Sequence, residues 1–366
     1  MLHQVGISTD KTHRCFALIL KNLQRQKETL MIDQKARRAL LSSGAALSAS
    51  AILASGLCRD AVAQTKKVWP ERPVKLVLGY PTGGAADAVA RPMQSKIEAA
   101  IGQPLIFEYK PGAGATIGAD FTAKSAPDGY TIHYADSGPL TILPNGKKLS
   151  YDPVKSFSPI GIACSGGTAL VAHPSVSANN LEELLRLIRA KPGGMTYGTS
   201  GIGGAGHLAG ELFQAMTKTD MVHVPYKGGG PAMVELLGGQ VPLLFASMPT
   251  AVPHIKSGKI KVLGVTSASR SSALPQAATL AEQGLSGFEA AIWWGLLGPA
   301  GMPADIVQKL NAAMNAALSD AAVAEKVRSQ GYEPTTSTPA ECAARIAADL
   351  AKWGKVIRDA KITFEG

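Results

Sequence analysis

The chain has 366 residues, with 37 Lys and Arg against 27 Asp and Glu; 46% of residues are hydrophobic and 17% charged. That apolar share excludes a disordered chain, and four cysteines over this length exclude a disulfide scaffold. At about 100–200 residues per domain, the length leaves room for two domains after processing.

Residues 1–63 read as an export signal. Arg37 and Arg38 precede a run of small and apolar residues to Leu57, and Ala61-Val62-Ala63 forms a small-x-small cleavage site. The arginine pair resembles a twin-arginine signal. Serines at 42, 43, 48, 50 and 55 keep the run weakly hydrophobic, which argues against a membrane anchor of about 20 strongly apolar residues. The residues before Met31 carry no clear pattern, so Met1 and Met31 both stay open as the start. The segment holds nine basic and four acidic residues, leaving 28 against 23 and a net charge of +5. No basic run with interleaved aromatics remains, so nucleic-acid binding lacks its electrostatic footprint. Cys164 and Cys342 remain, and spacing alone does not say whether they pair.

Beyond the signal, apolar β-rich runs alternate with helical patterns. Strands are expected at 74–80, 105–110, 131–135, 168–172, 195–199, 221–226, 241–246 and 260–265. Val89, Met93 and Ile97 recur every four residues after Gly84, and Leu208, Leu212 and Met216 repeat that spacing. Residues 181–190 and 304–362 are also helical in pattern. Pro92 is expected to kink or shorten the first helix. Strand-helix alternation predicts an α/β fold with mainly parallel sheets. Residues 157–168 and 284–301 read as crossings between two lobes. That divides the chain into lobe 1 (64–166 with 287–366) and lobe 2 (167–286), hinged around a central cleft.

Three strand-to-helix junctions stand out: 80–87, 198–207 and 246–250. Each follows the carboxyl end of an expected strand, where open α/β sheets bind ligands. Glycine exposes backbone N–H groups, and a helix N-terminus adds about half a positive charge. Together they form an anion site without Arg or Lys. One such end stabilises a charge by only about 0.3–2 kcal/mol, so several must converge. Asp87 reads as a first-turn residue complementing the dipole rather than a ligand contact.

Gly201, Gly203 and Gly206 spell G-x-G-x-x-G, the dinucleotide fingerprint. That fingerprint needs an acid at the end of the next strand, and the next strand ends Pro225-Tyr226-Lys227. A looser variant at Gly112, Gly114 and Gly118, with Asp136 after a later strand, has its third glycine one residue late. Ser200 lacks the second glycine of a nucleophile elbow. The histidines at 133, 173, 207, 223 and 254 show no metal-ligand spacing. His207 reads as orienting a loop or ligand, and Trp293-Trp294 either flanks a cleft or fills the core.

Several segments then match one family in order: Trp69-Pro70-Glu71-Arg72-Pro73, Tyr80 to Asp87 with Arg91, Pro111-Gly112-Ala113-Gly114, Ala126-Pro127-Asp128-Gly129-Tyr130, His207 to Phe213, His223 to Gly228, Leu237-Gly238-Gly239-Gln240 and Gly295 to Gly301. The chain resembles the extracytoplasmic solute receptors of tripartite tricarboxylate transporters, the Bug or TctC-like family. The resemblance implies a two-lobed, type II-like periplasmic binding fold. Such a receptor closes on a small organic carboxylate and hands it to membrane subunits. Carried over, Tyr80, Thr82, Gly83 and Ala85 line one wall of the cleft, and Ser200, Gly203, Gly204 and Ala205 the other. Gly84, Ser137, His207, Ser247 and Trp294 complete the expected ligand-binding set. The family usually has Asp where this chain has Ala246, so any contact made through that carboxylate is lost.

The expectation is a monomeric receptor without catalysis, cofactor, metal or nucleic-acid partner. Two alternatives stand beside it: an exported NAD(P)-dependent oxidoreductase, and a ligand sensor for a membrane signalling protein.

Overall fold

The computed structural model describes residues 69–359 and 362–364, together with Arg25 and Lys27. All but those last two fall in one compact unit. The expected signal at 1–63 therefore lies outside the described residues, apart from those two positions.

Two sheets organise the unit. The first contains β1 (Val74–Leu78), β2 (Leu105–Tyr109), β3 (Thr131–Asp136), β4 (Phe157–Gly166), β10 (Ile292–Pro299) and β11 (Glu333–Pro334), in the order β11-β4-β10-β3-β1-β2. The second contains β5 (Thr168–Ala172), β6 (Thr196–Thr199), β7 (Val222–Pro225), β8 (Leu243–Ser247) and β9 (Lys261–Val265), in the order β7-β6-β8-β5-β9. All eight expected strands are present, with ends moved by up to two residues. Four of five residues in β1 and all five in β5 are buried, which is why their apolar runs are nearly continuous.

The sheets are mixed rather than mainly parallel. β1 pairs in parallel with β2 and β3, and β6 with β7 and β8. β10 runs antiparallel between β3 and β4, and β5 antiparallel between β8 and β9. The difference comes from the two stretches read as crossings, which are long strands in their own right. β4 carries Pro159 and Gly161, which disguise it in sequence. Only Ser165 and Cys164 of β4 pair with β11, so the outer edge of β4 near Pro159 has no strand beside it. Side chains cover that edge instead: Asn311 donates to the Ile160 carbonyl (2.7 Å), and the Ile162 amide donates to Ser337 Oγ (2.7 Å).

Helices cover the sheets: α1 (Ala85–Ile101), α2 (Thr116–Ala123), α3 (Leu181–Ala190), α4 (Ala205–Thr217), α5 (Gly229–Leu237), α6 (Met248–Lys256), α7 (Ala304–Ser319), α8 (Ala321–Ser329) and α9 (Pro339–Asp359). α1 runs through Pro92 without stopping. Its buried stripe of Val89, Met93, Ile97 and Ile101 is part of the main core, and that packing overrides the lost backbone hydrogen bond. The C-terminal helical region is divided into three helices, broken at Asp320 and again at Gly331 (φ +88°) before the short β11. Cys164 and Cys342 are both free and buried.

The chain passes from the first sheet to the second at Gly167, where a Cβ would meet the Ser267 amide at 2.5 Å. Thr266 knits that passage together. Its hydroxyl accepts from the Thr168 amide (2.7 Å) and donates to the Ala290 carbonyl (3.0 Å), just before β10 returns to the first sheet.

Candidate functional site

The turn after β1 and the turn after β6 share one hollow, although they belong to different sheets. It is a cavity of ≈ 90 Å³. Tyr80, Thr82, Gly83, Gly84 and Ala85 line it from the first sheet, and Ser200, Ala205, Gly206, Phe245 and Ser247 from the second. Ile292 and Trp294 of β10, Thr168, and Tyr332 close the remaining sides. A wider hollow of ≈ 960 Å³ shares Tyr80, Pro81, Ser200 and Gly228 with it, and Lys147, Lys148 and Lys227 border that outer space. Among the described residues lining the inner cavity, none is Lys or Arg.

Positive potential comes instead from the backbone. The first residues of α1, α4 and α5 border the cavity, as does Ser247, which precedes α6. Gly84, Gly204, Gly228 and Ser247 precede these four helices, and none of them makes a side-chain cap hydrogen bond. First-turn amides have no partner within their own helix. Ala85, Ala205, Gly206 and Gly229 bring such amides to the cavity, where the four helix dipoles add to their positive potential.

The turns are held from behind. Asp87 Oδ2 accepts the Gly83 amide (3.0 Å), while its Oδ1 accepts from the Tyr109 hydroxyl (2.6 Å) and pairs with Arg91 (2.9 Å). Burial opposes ionisation of Asp87, but these partners together hold its carboxyl below the usual range. Asp87 thus pins the turn, as its first-turn position suggested. In the opposite turn, Gly203 (φ +74°) donates its amide to His207 Nδ1 (3.1 Å). His207 stacks on His223 at 4.2 Å, and His223 Nε2 lies 2.7 Å from Thr199 Oγ1. Burial drives His207 down to about 3, aided by His223 and Lys147, and burial alone takes His223 to about 4. Both are therefore neutral at ordinary pH and serve as hydrogen-bonding struts.

Nine of the thirteen expected ligand residues line the cavity: Tyr80, Thr82, Gly83, Gly84, Ala85, Ser200, Ala205, Ser247 and Trp294. The other four do not. Gly203 packs against Leu143 of the first sheet's side, where a Cβ would sit 2.0 Å from Leu143 Cδ2. Gly204 precedes the helix, His207 is 4% exposed behind the loop, and Ser137 is fully buried beneath Asp136. Two residues the sequence reading did not select are central. Asp136, at the end of β3, places a carboxylate in the cavity, while Ala246 is buried and does not line it. Tyr332 arrives from the turn after α8. Asp136 carried the same signal as the selected turns, a polar residue at a strand's carboxyl end; Tyr332 carried none. The triple glycine at 228–230 also fits the junction rule and was passed over.

Asp136 Oδ2 accepts from the Tyr80 hydroxyl (3.1 Å), and burial pushes its carboxyl up to about 6 despite that bond. Trp294 lies across from it in the β10–β3 register, stacked on Tyr134 (5.8 Å, 11°) and edge-on to Tyr80 (5.8 Å, 65°). The aromatic pair therefore joins core and cavity wall. The G-x-G-x-x-G glycines have a packing explanation. A Cβ on Gly206 would meet the Phe245 carbonyl oxygen at 2.4 Å, so the third glycine seats α4 against β8.

Residues 89–362 match the model of the tripartite tricarboxylate transporter family receptor, TctC. The chain is 33% identical over 313 residues to the protein BugT of Bordetella pertussis, covering 84% of this chain and 94% of that one. The solved periplasmic binding protein BugD is 33% identical, with a TM-score of 0.77 over 81% of this chain and 99% of its own. An R. palustris protein solved with adipate is 32% identical, with a TM-score of 0.78 over 81% of this chain and 99% of its own.

Proposed function

Since the chain belongs to the receptor family of the tripartite tricarboxylate transporters, we propose that it captures a small organic carboxylate in the cavity between its two sheets and performs no chemistry on it. The observation that carries this reading is the convergence of four helix N-termini, none capped by the side chain of the residue before it, on a cavity lined by no cationic side chain. Such a site stabilises an anion through dipoles and amides fixed in place before the ligand arrives. The hydroxyls of Thr82, Ser200 and Ser247 stand beside those amides as further donors. The adipate in a relative of 32% identity supports the same ligand class.

In this reading, 64–166 with 287–366 and 167–286 are the two lobes, and Gly167 and Ala290, tied through Thr266, form the hinge. Closure buries the carboxylate, and the shape of the outer hollow selects the rest of the ligand. The receptor acts as a monomer that delivers its cargo to transporter membrane subunits, after export and cleavage behind Ala63. Among the described residues no helix is long and apolar enough to cross a membrane.

Thermal shift and calorimetry against mono-, di- and aromatic carboxylates test the proposal. A specific ligand at a hundredfold excess over its Kd adds about 2.7 kcal/mol of stability. Silence across the set, with stabilisation by NAD(P) instead, overturns it. The mass of the mature chain checks the cleavage site.

A further inference from the structure

Among the described residues, seven buried side-chain polar atoms have no hydrogen-bond partner, and three of them belong to residues lining the inner cavity: Asp136 Oδ1, Trp294 Nε1 and the Tyr332 hydroxyl. Buried polar groups are rarely left unpaired, and each one costs about 1–3 kcal/mol. Trp294 Nε1 and the Met248 amide both face the Tyr332 oxygen, so the Tyr332 hydroxyl proton and Asp136 Oδ1 are the donor and the acceptor left for a ligand group. The three residues occupy the first-sheet side, on β3, β10 and the turn before β11, while three of the four helix starts come from the second sheet.

The three atoms differ in what they ask for. An ionised Asp136 only accepts, Trp294 Nε1 only donates, and a tyrosine hydroxyl does both. A methyl end satisfies none of them. An ammonium satisfies Asp136 but offers the Tyr332 hydroxyl no acceptor. A second ionised carboxylate suits the Tyr332 hydroxyl but confronts Asp136. The groups acting on Asp136 are the hydroxyls of Tyr80, Tyr332 and Tyr151 together with its own amide and that of Gly138, with no cation among them. A hydroxyl or carboxamide donates to Asp136 and accepts from the Tyr332 hydroxyl at once.

We infer that the ligand is a carboxylate whose far end bears a neutral group that both donates and accepts hydrogen bonds, read by Asp136 and Tyr332, and that a second carboxyl enters only with a proton on it. This rests on the carboxylate reading above and adds the ligand's other half. Asp136, raised by burial, is the group positioned to share that proton.

The test is isothermal titration at pH 7.5 on series that differ only at the far end. One such series is butyrate, 4-hydroxybutyrate, succinamate, 4-aminobutyrate and succinate, repeated on three-carbon, six-carbon and benzoate scaffolds. In the best-binding scaffold, the hydroxy or carboxamide member is expected to bind at least tenfold tighter than the bare and amino members. The doubly ionised member either binds at least tenfold more weakly or takes up one proton, read from the dependence of its heat on the buffer. Asp136→Asn is expected to erase that proton uptake and the discrimination against the diacid. The inference is overturned if the bare acid binds as tightly as its hydroxy and amide partners, or if the diacid does so with no proton taken up. Silence from every scaffold sinks the carboxylate reading itself. Should Asp136→Asn fail to fold, the wild-type series alone decides.

Discussion

Three of the five helices that start away from the cavity carry a side-chain cap, and none of the four that start at it receives one from the residue before it. On the outside, Asn180 accepts the Glu183 amide (2.9 Å) to cap α3, and Asp320 accepts the Ala322 and Val323 amides (3.1 and 3.2 Å) to cap α8. Thr338 and Glu341 cap α9 reciprocally, each side chain taking the other's amide (3.1 and 2.8 Å). At the cavity, three of the four preceding residues are glycine, and none of the four supplies a cap. α2, which follows Ala115, and α7, which follows exposed Pro303, are uncapped as well; α7 carries Asp305 in its first turn and α2 carries no acid there. A side-chain cap contributes about 1 kcal/mol. Glycine in that place gives up only a few tenths of a kcal/mol, so the cavity-side starts keep their first amides clear of side chains with little loss of stability.

The strongest way to break the cavity side is Gly206→Ala. Its Cβ would meet the Phe245 carbonyl oxygen at 2.4 Å, forcing the α4 start away from β8. We expect a stability loss of about 1–3 kcal/mol and a fall in carboxylate affinity on the order of a hundredfold, read by melting and titration. A melt and an affinity equal to wild type would show that the α4 terminus is not where the anion sits.

Asp136→Asn probes the acid that the cavity does hold. Its folded-state value lies above its unfolded one, so the native state prefers it protonated. The stability it contributes is present in acid and is lost as pH rises through about 6. At pH 8 the variant should therefore be more stable than wild type by about 2–3 kcal/mol, and the gain should vanish below pH 4. Denaturant melts at both pH values measure this, and an equal gain at the two would refute the assignment.

Gly204→Ser converts a cavity-side start into the outer type. Gly204 has extended backbone (φ −78°, ψ 171°), and a Cβ there meets nothing closer than 3.5 Å. Serine should add a few tenths of a kcal/mol of stability. Its hydroxyl would occupy an amide meant for the anion, so affinity should drop roughly tenfold, or about 1.4 kcal/mol. A rise in both stability and affinity would contradict the trade-off. Asp320→Ala does the reverse on the outside. It should cost about 1 kcal/mol of stability and leave ligand affinity unchanged, and any loss of binding would blur the distinction between the two classes.

Much of this was legible in the sequence, for a local reason. The turns at 80–87 and 198–207 announce themselves because glycine, a preceding apolar run and a following four-residue repeat all sit within about twenty residues. Asp136 was equally local, but it was read only as the acid of a loose dinucleotide pattern, because a single acid at a strand end has many ordinary explanations. β4 and β10 were read as crossings because Pro159 and paired glycines mask strands whose partners lie more than a hundred residues away. Tyr332 illustrates the limit. Nothing near Gly331-Tyr332 distinguishes it from any helix-ending turn, yet it closes a cavity whose first wall is Tyr80.

The sequence by itself determined the eight alternating strands, the glycine-started helices and the family, because each depends on residues close together or on an ordered run of motifs. Tertiary structure alone decided that β4 and β10 complete the first sheet, and that four helix starts meet at one hollow. It alone left Asp136, Trp294 and Tyr332 there with unpaired atoms. Convergence depends on how sheets twist and pack across the whole chain, and short-range patterns do not encode which distant ends come to face one another.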